Sequence, residues 1–285
     1  MKTILSPEVA TFRITTRCNN NCKHCFASKK TTREMDLKEL KILFKLFVLK
    51  GIRAVVLTGG EPLVRKDIPE ILKELNNNKL EIYLDTNGDY FQQYKDEIIK
   101  YIDDLGFPID FPDKSYRNKN NLKSVLDALT YLKTIKKRPR IRIGTTLTKN
   151  NVKTLKKIGK LLMNYPVDTW KIFQFIPMGE NATKNRVHLE ISEREFEEAT
   201  QKIKKIYSEY FQVIISKRNG RSRGYFFIDS DGTVFMPVFS PTICREVVIG
   251  NIFDNDIIEK WKMSAAKQNY INNAVITFQY NFSKI

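Results

Sequence analysis

Short apolar runs alternate with amphipathic segments along the first two thirds of the chain. Positions 54–57 form an aliphatic run with the length of a buried strand. Positions 36–49 instead repeat apolar residues at helical spacing, with Leu40, Phe44 and Phe47 on one face. Because strand-like and helical segments follow each other in turn, the pattern predicts a series of β/α units.

Six strands fit this pattern. The predicted strands are 11–16, 53–57, 80–85, 107–111, 140–148 and 170–176, and the predicted helices between them are 36–49, 67–75, 90–101, 122–136 and 152–163. Repeated β/α units imply an α/β fold with a parallel sheet flanked by helices. The pattern by itself fits both a flat doubly wound sheet and a partial barrel.

Three of the four cysteines lie within eight residues, as Cys18, Cys22 and Cys25 in a C-x3-C-x2-C arrangement. Iron–sulfur clusters are held by thiolates in runs of this kind, and three thiolates leave one metal position open for chemistry. A structural zinc ion would need a fourth ligand. A disulfide would need an oxidising compartment and would leave one cysteine unpaired. The spacing therefore favours an iron–sulfur cluster over zinc and over disulfides.

A second motif follows the apolar run at 54–57. Thr58, Gly59, Gly60, Glu61 and Pro62 form a tight glycine turn directly after a predicted buried strand. Alone, such a turn is a weak signal, since a Gly-Gly pair before Pro is first of all a loop. Together with the cysteine motif it resembles the radical SAM superfamily, and the resemblance covers roughly residues 8–182.

The resemblance implies a fold and two cofactors. The fold is an open (β/α)6 partial barrel over 8–182, with the active site at the carboxyl ends of the strands, and 183–285 form a small α+β extension. The three cysteines would bind one 4Fe–4S cluster, whose free iron chelates the methionine moiety of S-adenosylmethionine. The Gly59-Gly60-Glu61 turn would contact the amino group of that molecule. Reductive cleavage would yield methionine and a 5′-deoxyadenosyl radical that abstracts hydrogen from a substrate.

Further cofactor contacts are implied by the same resemblance. They are His24, Thr86, Asn87, Asp110, Arg117, Ile176 and Met178. His24, Ile176 and Met178 would pack on the adenine, although the last two are equally typical of ordinary core. Thr86 and Asn87 are equally typical of a plain Asn-Gly turn. Arg117 follows the acidic strand end at Asp110 and would contact the carboxylate of S-adenosylmethionine.

The predicted fifth strand carries an unusual alternation. Arg140, Arg142 and Thr146 share one face, and apolar residues share the other. Because the outer face of a barrel strand is covered by helices, we hypothesise that Arg142 and Thr146 face the lumen. A buried guanidinium there needs an anionic partner, which is either the substrate or a protein carboxylate. In the alternative interpretation, Arg140 and Arg142 lie in solvent at the bottom edge of the barrel.

The C-terminal segment resembles the SPASM or twitch extension of peptide-modifying radical SAM enzymes. An Asp-Gly hairpin follows Tyr225, but Val238 stands where relatives usually place a cysteine. We therefore predict a single cluster. Cys244 is then either a small buried hydrophobe or, in a sharper hypothesis, a hydrogen-atom donor to a substrate radical, as in radical SAM peptide epimerases.

Charge and hydropathy bear on partners and compartment. The chain has 49 Lys and Arg against 32 Asp and Glu, a formal net charge of +17, which favours anionic partners unless these side chains are simply solvated. The densest basic run, at 217–223, has no interleaved aromatic residues, so nucleic acid is not indicated. No 18-residue apolar stretch occurs, and the first residues lack the apolar core typical of a signal peptide, so we expect a cytoplasmic protein served by a low-potential electron donor.

Three functions remain open from the sequence. The first is a radical SAM enzyme that modifies a peptide by epimerisation or another maturation step, supported by His24, Cys244 and the SPASM-like segment. The second is a viperin-like enzyme acting on a nucleotide, because 170–174 and 179–181 look similar to viperin and the net charge suits a triphosphate. The third is a zinc-stabilised basic protein without enzymatic activity.

Overall fold

The computed structural model of the chain describes residues 7–27, 33–113, 121–218, 225–239 and 244–272. The strands are β1 (Val9–Arg13), β2 (Ala54–Thr58), β3 (Glu81–Asp85), β4 (Asp104–Pro108), β5 (Arg140–Leu147), β6 (Thr169–Gln174), β7 (Gln212–Ser216), β8 (Phe227–Ile228), β9 (Thr233–Phe239) and β10 (Cys244–Asn251). The helices are α1 (Leu37–Leu49), α2 (Ile68–Asn77), α3 (Phe91–Tyr101), α4 (Asn121–Lys133), α5 (Leu155–Leu162), α6 (Glu180–Lys184), α7 (Arg186–Leu189), α8 (Glu193–Tyr207) and α9 (Ile257–Asn272).

All ten strands belong to one open sheet in the order β10-β9-β8-β1-β2-β3-β4-β5-β6-β7. Strands β1 to β7 are parallel to their neighbours, and β8 also pairs with β1 in parallel. Strands β8, β9 and β10 are antiparallel to one another. The predicted α/β fold with a parallel sheet is confirmed. The parallel order continues past the six predicted strands, because α8 and β7 add a seventh.

Two predicted strands lie elsewhere on the chain. The fourth strand is Asp104–Pro108 and not 107–111, and the first is Val9–Arg13 and not 11–16. The fourth was misplaced because Asp104 looks like a loop residue in the sequence. In the structure its carboxylate accepts a hydrogen bond from Nε of Arg142 at 3.0 Å, so the charge is neutralised within the sheet.

Helix α1 shows how local sequence and packing agree. Asp36 caps its first turn, and its carboxylate accepts from the main-chain N–H groups of Lys38 and Glu39, while the Glu39 side chain accepts in return from the N–H of Asp36. Its apolar face, which includes Phe44 and Phe47, is buried in the large core under the sheet. Residues that alternate along the strands divide between this core and the opposite, concave face.

A small cluster of buried apolar side chains lies on the concave face. Val9, Ala54, Val56 and Tyr83 form it, whereas the intervening Val55 belongs to the large core. This alternation leaves the concave side of the sheet free to line a cavity. Among the described residues, no helix is both long and apolar enough to cross a bilayer.

The C-terminal strands are locked to β1 by a buried guanidinium. Arg13 donates from Nη1 to Glu246 at 2.8 Å and from Nη2 to Asp229 at 3.0 Å. Its guanidinium also lies 4.0 Å from the ring centroid of Phe235. The strand that leads into the cysteine motif is therefore held on one side by β2 and on the other by the C-terminal strands.

Candidate active site

A cavity of about 320 Å³ lies on the concave side of the sheet. Its lining includes the segments that follow β1, β2, β3 and β6, together with residues from within the strands such as Thr11, Val56 and Arg142. The predicted site residues among its lining are Cys18, Cys22, His24, Cys25, Gly59, Gly60, Glu61, Thr86, Asn87, Ile176 and Met178. Residues distant in the sequence are thus brought to one place by the order of the parallel strands.

We divide the lining into two parts. The rim comprises the cysteine loop (18–25), the glycine turn (59–61), the segment after β3 (86–89) and the segment after β6 (179–181). The floor comprises Asp85, Gly106 and Arg142, with Asp104 and Arg140 beneath them. The rim and the floor are built from different kinds of contact.

The cysteine loop is held from one side by the segment after β3. The carboxylate of Asp89 accepts hydrogen bonds from Nδ2 of Asn19 at 2.8 Å and of Asn20 at 3.3 Å. Nδ2 of Asn87 in turn donates to Oδ1 of Asn19 at 2.8 Å. The Asn19-Asn20 pair between the first two cysteines therefore has a fixed place against the sheet.

The segment after β6 holds the loop from the other side. Nδ2 of Asn181 donates to Oδ1 of Asn21 at 2.7 Å and to the main-chain oxygen of Cys22 at 2.9 Å. Gly179 has a φ of +79°, and a Cβ at this position would lie 2.6 Å from the carbonyl oxygen of Phe26. Only glycine allows both this conformation and this close approach.

The glycine turn holds the strand that enters the loop. The N–H of Gly60 donates to the carbonyl of Thr15 at 2.8 Å, and the N–H of Glu61 donates to that of Arg17 at 2.9 Å. A Cβ on Gly60 would lie 2.1 Å from the Arg17 oxygen, well inside contact distance. Because this main-chain pairing ends one residue before Cys18, the turn sets where the cysteine motif begins.

The carboxylate of Glu61 is only 1% exposed and is held by three donors. It accepts from Oγ1 of Thr86 and from the N–H of Asn87, both at 2.7 Å, and from the N–H of Leu63 at 3.1 Å. Desolvation is nevertheless the largest influence and raises the pKa of Glu61 to about 7. Its side chain joins the ends of β2 and β3, so the part of this motif open to a ligand is the main chain at Gly59 and Gly60.

His24 lies between the cysteine loop and the end of β4. Its Nε2 atom is 3.5 Å from Oδ2 of Asp110, and both side chains are buried. Oδ1 of Asp110 accepts from the N–H of Thr146 at 2.8 Å. The predicted cofactor residue Asp110 thus bridges His24 and β5 from behind the lining. Arg117 lies outside the described residues, and its role stays a prediction.

Ile176 and Met178 form a buried apolar pair beside the cavity, and Cys244 packs against it. Cys244 itself is partly buried at the start of β10. Cys244 therefore packs behind two residues of the lining, and its role as a hydrogen donor stays a prediction.

The floor is built around Arg142. Its Nη2 atom donates to Oδ1 of Asp85 at 2.9 Å and its Nε atom to Oδ1 of Asp104 at 3.0 Å. Arg140, whose side chain is 42% exposed, lies 3.7 Å from the other oxygen of Asp104. Arg142 and Thr146 both line the cavity, as predicted, and the anionic partners of Arg142 are protein carboxylates.

Several lining residues were missed by sequence reasoning. They include Asp85, Gly106, Lys171, Tyr225, Phe227 and Pro237. Lys171 carried a signal, because it is a charged residue inside the apolar strand β6. Tyr225 and Phe227 stack on each other with ring centroids 5.2 Å apart. They gave no signal, because only the pairing of β8 with β1 brings them to the cavity.

The donor set at the rim fits an iron–sulfur cluster. Three cysteines of one loop line the same cavity. Each of the three thiolates would bind a different iron of such a cluster, so the sulfurs need not converge on a single point. In the described residues, no three His, Cys, Asp or Glu side chains are grouped to hold a single metal ion. Although Cys18 as a whole is exposed, desolvation raises the pKa of its thiol to about 11, so a bound metal would be needed to hold it as thiolate.

Comparison with known proteins adds to this geometry. The sequence profile of the radical SAM superfamily matches residues 12–162, just over half of the 285-residue chain. The match includes the end of β1, the cysteine loop, the glycine turn and β2 to β5.

Two related proteins align with this chain over longer stretches than the profile does. An AdoMet-dependent heme synthase of Oleidesulfovibrio alaskensis is 26% identical over 181 residues, which are 60% of this chain and 46% of that protein. A probable GTP 3′,8-cyclase of Methanococcus vannielii is 25% identical over 225 residues, which are 71% of each chain. The chain thus spans less than half the length of the heme synthase.

Solved structures share the fold over almost the whole chain. Streptococcus suis SuiB bound to its precursor peptide SuiA superimposes with a TM-score of 0.68 at 13% identity, covering 98% of this chain and 68% of SuiB. The same protein bound to S-adenosylmethionine gives a TM-score of 0.71. At this level of identity the likeness concerns the fold, and it includes the C-terminal strands.

Proposed function

This chain belongs to the radical SAM superfamily, and we propose that the substrate it modifies is a peptide. Enzymes of this family use a 4Fe–4S cluster and S-adenosylmethionine. When bound and reduced, these cofactors supply a 5′-deoxyadenosyl radical that takes a hydrogen atom from the substrate. The residues of this chain bind, orient and enclose the reactants around that step.

The roles at the rim follow from the contacts there. Cys18, Cys22 and Cys25 would each hold one iron. Asp89 and Asn181 would fix the loop that carries them, because their hydrogen bonds reach it from opposite sides. The buried Ile176–Met178 pair and Phe26 would keep water from the reacting atoms.

One observation carries the choice of a peptide over a nucleotide, namely the charge balance of the floor. A triphosphate needs several cations that are available to it. The guanidinium of Arg142 is instead shared between Asp85 and Asp104. Apolar and aromatic groups make up much of the remaining lining, including Phe173, Phe227 and Pro237. Such a lining suits peptide side chains better than phosphate groups.

Cys244 is our proposed hydrogen-atom donor for an epimerisation. Transfer of hydrogen from its thiol to a substrate carbon radical would leave the product with a new C–H bond and the enzyme with a thiyl radical, which an external low-potential electron donor and a proton would restore. Its position behind Ile176 and Met178 means that these side chains must shift to admit it.

A nucleotide is the second candidate substrate, favoured by one residue and one relative. Lys171 lines the cavity with a side chain 8% exposed, and its ammonium lies 5.0 Å from the ring centroid of Phe173. The relatives named for GTP chemistry include the Methanococcus vannielii protein. A buried cation in the cavity is the feature that a phosphate would use.

The two substrates are separated by 5′-deoxyadenosine formation. Anaerobically reconstituted, reduced protein is incubated with S-adenosylmethionine alone, with a random-sequence peptide library, or with the four ribonucleoside triphosphates. We expect the peptide library to raise deoxyadenosine formation and, in D2O, to yield deuterated peptides. The Cys25→Ala variant is the control and should form none. Stimulation by a triphosphate without any by peptides would overturn the proposal.

A further inference from the structure

We propose that Asp85 is a substrate-binding residue that accepts a hydrogen bond from a main-chain N–H of the peptide. The inference rests on the proposed function and assigns a recognition group within its site. Asp85 ends β3 and lines the cavity, and its side chain is 43% exposed. It is the most accessible carboxylate of the lining, since the carboxylate of Glu61 is buried.

The carboxylate of Asp85 is held in position from below. Its Oδ1 atom accepts from Nη2 of Arg142 at 2.9 Å, and Arg142 is fixed in turn by Asp104. Arg140 lies on the far side of Asp104. The side chains therefore form a row of charges that alternate in sign, and Asp85 is its last member. The row runs from Arg140 through Asp104 and Arg142 to Asp85. A carboxylate ordered in this way loses little further freedom when it binds a ligand.

A glycine makes this arrangement possible. Arg142 lies on β5 and Asp85 on β3, with β4 between them. Gly106 of β4 is paired with both, and a Cβ there would lie 2.4 Å from Oδ1 of Asp85 and 2.9 Å from both Nη atoms of Arg142. Any side chain at this position would separate the pair. The missing Cβ therefore allows the guanidinium to cross a whole strand and orient Asp85.

The charges around Asp85 determine which kind of hydrogen-bond donor can approach its carboxylate. A basic side chain that approached Asp85 would also meet the guanidinium of Arg142, which already donates to this carboxylate. An acidic side chain would meet the carboxylate itself. A neutral N–H group avoids both repulsions and still gains a hydrogen bond to a charged acceptor. Every residue of an extended peptide, proline excepted, offers such a group.

The test combines a peptide scan with a matched variant. A tight binder is first selected from the random-sequence library on the reconstituted enzyme with S-adenosylmethionine. Each amide of that peptide is then N-methylated in turn. We expect one position at which methylation weakens binding by roughly tenfold to a hundredfold, the range for a hydrogen bond to a charged group.

The Asp85→Asn variant should bind the parent peptide correspondingly less well. Its Oδ1 can still accept from Arg142, so its amide nitrogen turns toward the cavity and offers a donor where an acceptor was. In this variant, methylation at the sensitive position should have no further effect. The exposed Asp96→Asn change on α3 is the control and should match the wild type throughout.

Two results would overturn the inference in distinguishable ways. If a peptide binds and is turned over, but no amide position responds to Asp85→Asn, the proposed function stands and the role of Asp85 is wrong. If no library peptide binds and a triphosphate does, the peptide function fails and the inference fails with it. An iron content equal to that of the wild type and a single cooperative unfolding transition of the variant exclude misfolding as the cause.

Discussion

The rim and the floor of the cavity are held together by different kinds of contact. At the rim, main-chain groups and side-chain amides fix the cysteine loop, as in the pairing of Gly60 with Thr15 and of Asn181 with Cys22. At the floor, ion pairs between side chains hold the residues in place, and Arg142 pairs with both Asp85 and Asp104. The rim therefore tolerates little change in backbone position. The floor can change its chemistry through substitutions that leave the backbone in place.

The largest effect is expected from Gly60→Ala at the rim. The added methyl group would lie 2.1 Å from the Arg17 oxygen, so the pairing that places Cys18 must open. We expect a loss of about 3 kcal/mol in stability and loss of the cluster. Iron content after reconstitution and thermal unfolding measure both. Gly144→Ala at the cavity wall, where the nearest atom is 3.3 Å away in the ring of Phe173, is the matched control.

Glu61 should make stability depend on pH. Its pKa is raised from 4.5 to about 7 in the folded chain, so the folded state keeps a proton that the unfolded state has already released. The stability of the wild type should therefore fall by roughly 3 kcal/mol as pH rises from about 4.5 to above 7. The Glu61→Gln variant should lack this component. Equal pH profiles of the unfolding free energy for the two proteins would contradict the assignment.

Arg142→Met tests the floor without touching the rim. Removing the guanidinium leaves Asp85 and Asp104 without their shared partner, at a cost of about 2 kcal/mol for this partly buried network. Iron content should stay that of the wild type. Arg194→Met, which breaks an exposed pair with Glu198 on α8, is the control and should cost well under 1 kcal/mol. Loss of iron from the Arg142→Met variant would contradict the view that the rim and the floor are held by separate contacts.

Asp89→Ala removes the acceptor that holds Asn19 and Asn20. We expect the cysteine loop to lose about 1.4 kcal/mol of ordering, which corresponds to a tenfold weaker uptake of iron under limiting supply. Iron titration and the electron paramagnetic resonance spectrum of the reduced cluster report this. The Asp96→Ala change on the exposed side of α3 should leave both unaltered.

The smallest structural effect is expected from Cys244→Ala. The thiol packs against the Ile176–Met178 pair, and its loss should cost less than about 1 kcal/mol. We expect roughly four irons per chain and unchanged deoxyadenosine formation, because the predicted single cluster would be held by the cysteine loop. Epimerised peptide should be absent. Normal amounts of epimerised product would end the role of Cys244 as hydrogen donor.

The rim could be predicted from the sequence far better than the floor. The rim contains two local motifs that can be recognised in the sequence without knowledge of the fold, namely the cysteines Cys18, Cys22 and Cys25 and the glycine turn. The alternation on β5 placed Arg142 in the cavity. Its partners could not be foreseen, because they depend on the pairing of β3, β4 and β5.

The same reason explains the misplaced fourth strand. Asp104 is compatible with a strand because Arg142, 38 residues further along the chain, donates a hydrogen bond to its carboxylate. Likewise, the sequence predicted the C-terminal hairpin as a separate extension motif, but not that β8 would pair with β1. Local patterns predict elements, whereas partners across a sheet follow from strand order, which the sequence pattern leaves open.

The pairing of β1 with β8 also bears on how this protein folds. Arg13 and Asp229 are 216 residues apart, and contacts of such long range raise the contact order and slow folding. Until β8 docks, β1 presents one unpaired edge immediately before the cysteine loop, and such edges favour association between chains. The cysteine loop is thus synthesised long before β8, the strand that completes the pairing of β1.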